Sequence, residues 1–231
     1  MSYQHQYVDG THIHFPMGKV VCIGRNYAEH AKELNNPVPT EPLLFIKAGS
    51  CVVPLDDGFT LVEGKGDVHY EAEIAVLIGK PLCEASEAEA LEALAGMGLA
   101  LDLTLRERQS KLKAKGQPWE LAKAFDGSCP LSSFVALEGP RWRDADGELH
   151  SVDFQALHYR FAIDGEQRQQ ADTSLMLFPV ARLLSEISHS FTLLPGDVVL
   201  TGTPEGVSEV KAGDEMRASI SSIGTMTVAV R

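Results

Sequence analysis

Three acids could together do metal chemistry: Glu71 and Glu73 in His69-Tyr70-Glu71-Ala72-Glu73, and Asp102 in Leu99-Ala100-Leu101-Asp102-Leu103-Thr104. Both segments alternate apolar and polar residues, which predicts half-buried strands. Side chains two apart on a strand share a face. Glu71 and Glu73 therefore point the same way, opposite Tyr70, Ala72 and Ile74, while Asp102 and Thr104 oppose Leu99, Leu101, Leu103 and Leu105. Carboxylates held side by side repel one another, and a divalent cation relieves that repulsion. All-oxygen ligation suits Mg, Mn or Ca rather than Zn. The plainer reading is a solvated face carrying three unrelated acids.

Further chemistry-bearing pairs lie on either side. His30 and Glu33 are three apart in a polar segment with helical potential, so both can share one face and hydrogen-bond. A carboxylate fixes the tautomer of a neighbouring imidazole and raises its basicity, making the pair a general base; otherwise it is an ordinary surface pair. Arg106 and Gln109 are also three apart, just beyond Asp102. Lys123 sits among apolar neighbours in Leu121-Ala122-Lys123-Ala124-Phe125, where an ammonium either reaches solvent or meets an anion. Arg25 and Lys47 are further cations at the ends of short strands, and Thr201-Gly202-Thr203-Pro204 offers hydroxyls and amides in a tight turn.

The elements that must position these groups can be outlined. Lys19–Gly24 and Leu43–Lys47 read as apolar strands flanking the polar segment Arg25–Leu34 and the prolines Pro37, Pro39 and Pro42. A helix over Ser86–Ala95 is expected from the Ser86/Glu89 capping box, with Gly96 as its stop. Leu105–Lys115 reads as a basic helix ending at Gly116. The second half is β-rich, with a hairpin at Asp164-Gly165 and a helix over Phe178–Ser188 holding Pro179 in its first turn. Asp197–Leu200, Glu215–Ile220 and Thr225–Val230 complete the strands, with Gly224 at the last turn. The absence of a βαβ rhythm and of a glycine-rich phosphate loop disfavours a doubly wound sheet.

With 231 residues the chain can bury a sizeable core, and its 44% hydrophobic and 23% charged content is that of a globular protein. A formal net charge of -12 argues against nucleic acid or an anionic membrane as partner. Cys22, Cys51, Cys83 and Cys129 are widely spaced and lack zinc or redox patterns. No segment has the apolar run of a signal peptide or a membrane span, so a cytoplasmic location is expected.

The assembled motifs resemble the fumarylacetoacetate hydrolase superfamily, and within it the short acylpyruvate hydrolase and oxaloacetate-acting group. They are Gly24-Arg25-Asn26-Tyr27-Ala28-Glu29-His30, His69 to Glu73, Leu101 to Arg106, Gln117-Pro118-Trp119, Lys123-Ala124-Phe125-Asp126 and Gly196 to Pro204. The resemblance implies an α+β fold, predominantly an antiparallel β-roll or sandwich with a few flanking helices. Residues 17–231 would form one catalytic domain, and 1–16 a short N-terminal arm beside it as an edge strand or hairpin. It further implies Mg or Mn on Glu71, Glu73 and Asp102, and a water-activating dyad of His30 and Glu33 on a lid. Lys123 would join the chemistry, Arg106, Gln109 and Thr203 the substrate contacts, and the protein would be a homodimer. Larger fumarylacetoacetate-cleaving members carry a further metal-binding acid upstream of the dyad; Lys19–Ala28 contains none, which argues against fumarylacetoacetate as substrate.

Such a site supports more than one reaction of a 2-keto acid. The first expectation is hydrolysis of a 3-acylpyruvate of the acetylpyruvate or fumarylpyruvate type, giving pyruvate and a carboxylic acid. The alternative is decarboxylation or keto–enol tautomerisation of oxaloacetate, or isomerisation of a related unsaturated 2-oxo diacid. Arg25 would then meet the distal carboxylate. A non-catalytic, metal-stabilised protein is the third reading.

Overall fold

The apolar run Val20–Gly24 forms β1, the strand about which the site is assembled, and after it the chain turns into the short helix α1 (Ala28–Glu33). In the computed structural model residues 3–229 are described except 62, 63, 65, 145 and 221–223, and of 224–229 only the backbone. β2 (Leu43–Lys47), β3 (Val52–Pro54), β4 (Val68–Tyr70) and β5 (Ala72–Ile78) precede α2 (Glu87–Glu92). β6 (Leu94–Leu101), β7 (Thr104–Leu105), α3 (Arg106–Ala114) and α4 (Glu120–Lys123) follow. Next come β8 (Cys129–Leu131), β9 (Val135–Ala136), β10 (Arg141–Arg143), β11 (Leu149–Ser151), β12 (His158–Ile163) and β13 (Glu166–Asp172). The last elements are α5 (Val180–Ser190), β14 (Val198–Leu200), β15 (Ser208–Glu209), β16 (Glu215–Ile220) and β17 (Gly224–Ala229). The fold is thus mostly β with few helices, as the family resemblance implies.

The main sheet is a curled one in the order β2-β1-β14-β5-β6-β8-β3, with β9 added against β6. β1 runs parallel to β14, β14 antiparallel to β5, and β5 antiparallel to β6. Those directions bring the ends of β1, β14 and β6 and the start of β5 to one end of the sheet. Arg25, Thr201–Thr203, Asp102 and Glu71–Glu73 all lie there. A second sheet, β13-β12-β16-β17, packs its Tyr159, Phe161 and Ile163 into the same apolar core as Ile74 and Val76. A three-stranded sheet, β15-β4-β7, flanks the site. Near the N-terminus, Gln6 pairs with His12 and Tyr7 with Phe134.

Local chemistry explains the elements, and where the structure departs from expectation. β5 is buried on both faces rather than half-buried, so its alternation marks a polar pocket inside the protein and not a solvated face. Glu71 and Asp102 sit at breaks between strands, where the Asp102 N–H donates to the Glu71 carbonyl at 2.8 Å. The Ser86 capping box is present, but α2 ends at Glu92 and Leu94–Leu101 is a strand instead of a helix end. The reason is tight packing: a Cβ at Gly96 would lie 2.9 Å from that of Phe134, so the bare strand lets Phe134 dock there. Only 28–33 of the polar segment is helical, and Arg25 takes a left-handed φ of 62°. Pro179 caps α5 from outside its first turn, while Val180, Leu183, Leu184 and Ile187 make its buried stripe. Asp164-Gly165 forms the expected hairpin turn, both residues with positive φ. Gly224 pairs with Ile220 as the first residue of β17, and the expected end at Val230 lies outside the described residues. Among the described residues no helix is long and apolar enough to cross a membrane.

Candidate active site

Glu71, Glu73 and Asp102 are each at most 5% exposed, and one oxygen from each lies within 4.8 Å of the others. Glu71 is paired with Arg106, from Nη2 to Oε1 at 2.5 Å, and with Lys123, from Nζ to Oε2 at 2.8 Å. Lys123 Nζ also reaches Asp102 Oδ2 at 2.5 Å, and Asp102 Oδ1 lies 2.8 Å from Lys47 Nζ. Glu73 has a hydrogen bond from the Gly202 amide at 2.5 Å but, among the described residues, no cationic partner. The two glutamates therefore titrate in opposite directions. Burial works against ionising Glu71, yet Lys123 and Arg106 outweigh it and hold its carboxyl well below the usual range. Burial, followed by the charges of Asp102 and Glu71, pushes Glu73 well above it.

This donor set fits a hard divalent cation. A buried carboxylate without a cation, facing two others, is the arrangement that Mg or Mn stabilises. Glu71, Glu73 and Asp102 would hold it. A side chain at Gly202 is excluded, since its Cβ would come within 2.6 Å of the Cβ of Asn26 and φ is +95°. The bare amide is thereby kept against Glu73.

Lys47 is an unexpected support. It is fully buried, donates to the carbonyls of Lys123 and Ser128, and meets Asp102. One ammonium thus joins β2, the end of α4 and an acid of the cluster. Removing one member of a buried ion pair leaves the other uncompensated. Lys47→Met is therefore expected to destabilise the metal-free protein by roughly 3–5 kcal/mol, read from urea unfolding. A loss within about 0.5 kcal/mol, the range of a neutral surface change, would show that Asp102 needs no such partner.

The dyad is assembled on α1. His30 is 4% exposed, and its Nδ1 lies 3.3 Å from Glu33 Oε2. The other carboxylate oxygen of Glu33 accepts from the Gly206 amide at 3.0 Å, docking α1 on the loop after Thr203. Asn26 fastens the base of α1: its side chain binds the Phe178 backbone through both N–H and C=O, and the Thr201 carbonyl. A cleft of about 400 Å³, open to solvent, is lined by Arg25, His30, Glu71, Glu73, Arg106, Gln109, Lys123 and Thr203. Asp102 lies beneath its floor, held by Lys123. The structure thus brings the sequence-selected residues together. Arg106 Nη1 donates to Gln109 Oε1 at 2.9 Å, and the Thr203 hydroxyl accepts from Gln169 at 2.8 Å. Sequence reading overlooked Lys113, Asn36 and Phe45 and noted Trp119 only within a motif; all four also line the cleft. For Lys113 a signal was present: it is seven residues beyond Arg106, on the same helix face.

The family model described as fumarylacetoacetate (FAA) hydrolase C-terminal matches residues 19–231. The chain belongs to the fumarylacetoacetate hydrolase family. It is 45% identical over 214 residues to oxaloacetate tautomerase YcgM of Escherichia coli, covering 93% of each chain. A family protein from Yersinia pestis has the same fold, with TM-score 0.91 and 43% identity over 99% of this chain and all of that one. A fumarylpyruvate hydrolase from Pseudomonas aeruginosa, solved with Mn2+ and pyruvate, aligns with TM-score 0.86 and 34% identity, covering 99% and 95% of the two chains. Membership makes this chain an enzyme. The higher identity to an oxaloacetate tautomerase reverses the order of the two expected reactions: the oxaloacetate reading fits better than acylpyruvate hydrolysis.

Proposed function

We propose that this enzyme interconverts the keto and enol forms of oxaloacetate with the help of Mg or Mn. The observation that carries the reading is the buried His30, hydrogen-bonded to the more exposed Glu33, facing an acid cluster and Lys123 across one cleft. Tautomerisation needs only a base near C3 and positive charge near the C2 oxygen. His30 takes a proton from C3, the C2–C3 double bond forms as the carbonyl pair moves to oxygen, and that oxygen then gains a proton. No water or other reactant is consumed. Glu33 stabilises the imidazolium that forms, and Lys123 places an ammonium beside the developing oxyanion. A cation held by Glu71, Glu73 and Asp102 would supply Lewis-acid stabilisation of that charge. Arg106 and Gln109 would orient the substrate, with Thr203 at the opposite wall.

The test is the decay of the enol absorbance of oxaloacetate, with and without enzyme, in Mg and in EDTA. Acceleration that EDTA abolishes supports the reading; acceleration unaffected by EDTA, or pyruvate release from acetylpyruvate at a higher kcat/KM, overturns it. Lys123→Met retains the apolar stem and removes the charge. If Lys123 meets charge that develops during enolisation, kcat falls together with kcat/KM. A rise in KM alone would assign it to ground-state binding.

A further inference from the structure

The buried acids of the cleft are met by Arg106, Lys123 and Lys47, whereas Arg25 and Lys113 line its less buried part, the mouth, in a protein of net charge -12. Arg106, Gln109 and Lys113 are spaced i, i+3, i+7 and form one stripe of α3. Arg106 is committed to Glu71 and Gln109 through its two terminal nitrogens. Arg25 differs: among the described residues no carboxylate or hydrogen-bond acceptor meets its guanidinium, although a positive φ fixes its place at the end of β1. Lys113 Nζ donates to Asn36 Oδ1 at 2.7 Å and, among the described residues, is paired with no acid. Burial, then the like charges of Arg25 and Arg106, lower the pKa of the Lys113 ammonium. Cations gathered against their mutual repulsion imply an anion that completes them.

We infer that Lys113, together with Arg25, binds the second carboxylate of a dicarboxylic 2-keto acid and so determines specificity for diacids over monoacids. This rests on the oxaloacetate reading, in which the 2-keto acid end lies on the acid-lined floor and the far carboxylate at the mouth. Because Lys113 also holds Asn36, just beyond α1, the same ammonium links the far carboxylate to the segment carrying His30. A monoacid leaves the two mouth cations without a counterion.

The test compares oxaloacetate with its 4-ethyl half-ester, which retains the keto acid end and loses only the distal charge. Wild-type enzyme should show a KM for the half-ester higher by roughly 10- to 100-fold, the range of one charge-assisted hydrogen bond. Lys113→Met should raise KM for oxaloacetate by a similar factor and leave the half-ester within about threefold, erasing the preference. Arg25→Asn, which tolerates the left-handed backbone, provides a second variant with the same expectation. Equal KM changes on both compounds would overturn the inference, as would equal wild-type affinity for the two. If wild-type enzyme turns over neither compound, the oxaloacetate reading fails. Calorimetric binding of the two compounds to Mg-loaded wild type and Lys113→Met then still decides whether the mouth reads a second carboxylate.

Discussion

Glu73→Ala is expected to abolish EDTA-sensitive turnover and to weaken Mn binding by more than roughly 100-fold, since even partners that merely orient metal ligands contribute 10- to 100-fold. The reason lies in how charge is distributed over the cluster. Arg106 and Lys123 serve Glu71, and Lys123 and Lys47 serve Asp102, so both acids are compensated without any metal. Glu73 alone has no cation among the described residues and is raised well above the usual carboxylate range by burial and by the other two acids. It is the acid with most to gain from a bound ion. The isosteric Glu73→Gln gives a second reading: removing that charge should raise the melting temperature of the metal-free protein while Mn affinity falls. Loss of Mn affinity in calorimetry together with unimpaired apo folding is the expected pair. Full Mn affinity in either variant would remove Glu73 from the ligand set.

His30→Ala is expected to lower kcat for enol–keto exchange by about 10²–10⁴-fold, the contribution of one positioned base, with Mn affinity unchanged. Decarboxylation of oxaloacetate breaks the C3–C4 bond and needs no proton removed from C3, so it should fall much less. Following enol absorbance and CO2 release on the same variant separates the two. An equal fall in both would mean that His30 acts by seating α1 over the cleft. Retention of both would return His30 and Glu33 to an ordinary helix pair.

Much of the site was legible because its residues announce their chemistry locally. The E-x-E spacing of Glu71 and Glu73 and the i, i+3 spacing of His30 and Glu33 are short-range patterns, and the structure preserves both. The degree of burial was not legible. Alternation in His69–Ile74 reads the same whether its polar face meets water or an internal pocket, and only groups distant in sequence, Lys123 and the Gly202 amide, decide that. The end of α2 was misplaced for a related reason: Ala95 and Gly96 continue an acceptable helical pattern until Phe134, far along the chain, is known to pack on Gly96. Lys47 exemplifies the remaining gap. A lysine closing an apolar strand ordinarily points to solvent, and nothing near it in sequence indicates the Asp102 carboxylate and the Lys123 carbonyl that receive it.

The start of β5, the end of β6 and the turn after β14 build the acid floor, whereas its mouth is built from one face of α3, the residue after β1 and the stretch following α1. The two parts share few covalent neighbours. On the specificity proposed above, exchanges at 25, 36 or 113 would alter what the cleft admits without touching a ladder hydrogen bond or one of the three clustered acids. A lineage could then drift from one keto acid to another through surface substitutions of small stability cost, keeping the residues of the floor intact. Divergent substrate names among relatives with nearly superimposable folds are the expected imprint of that separation.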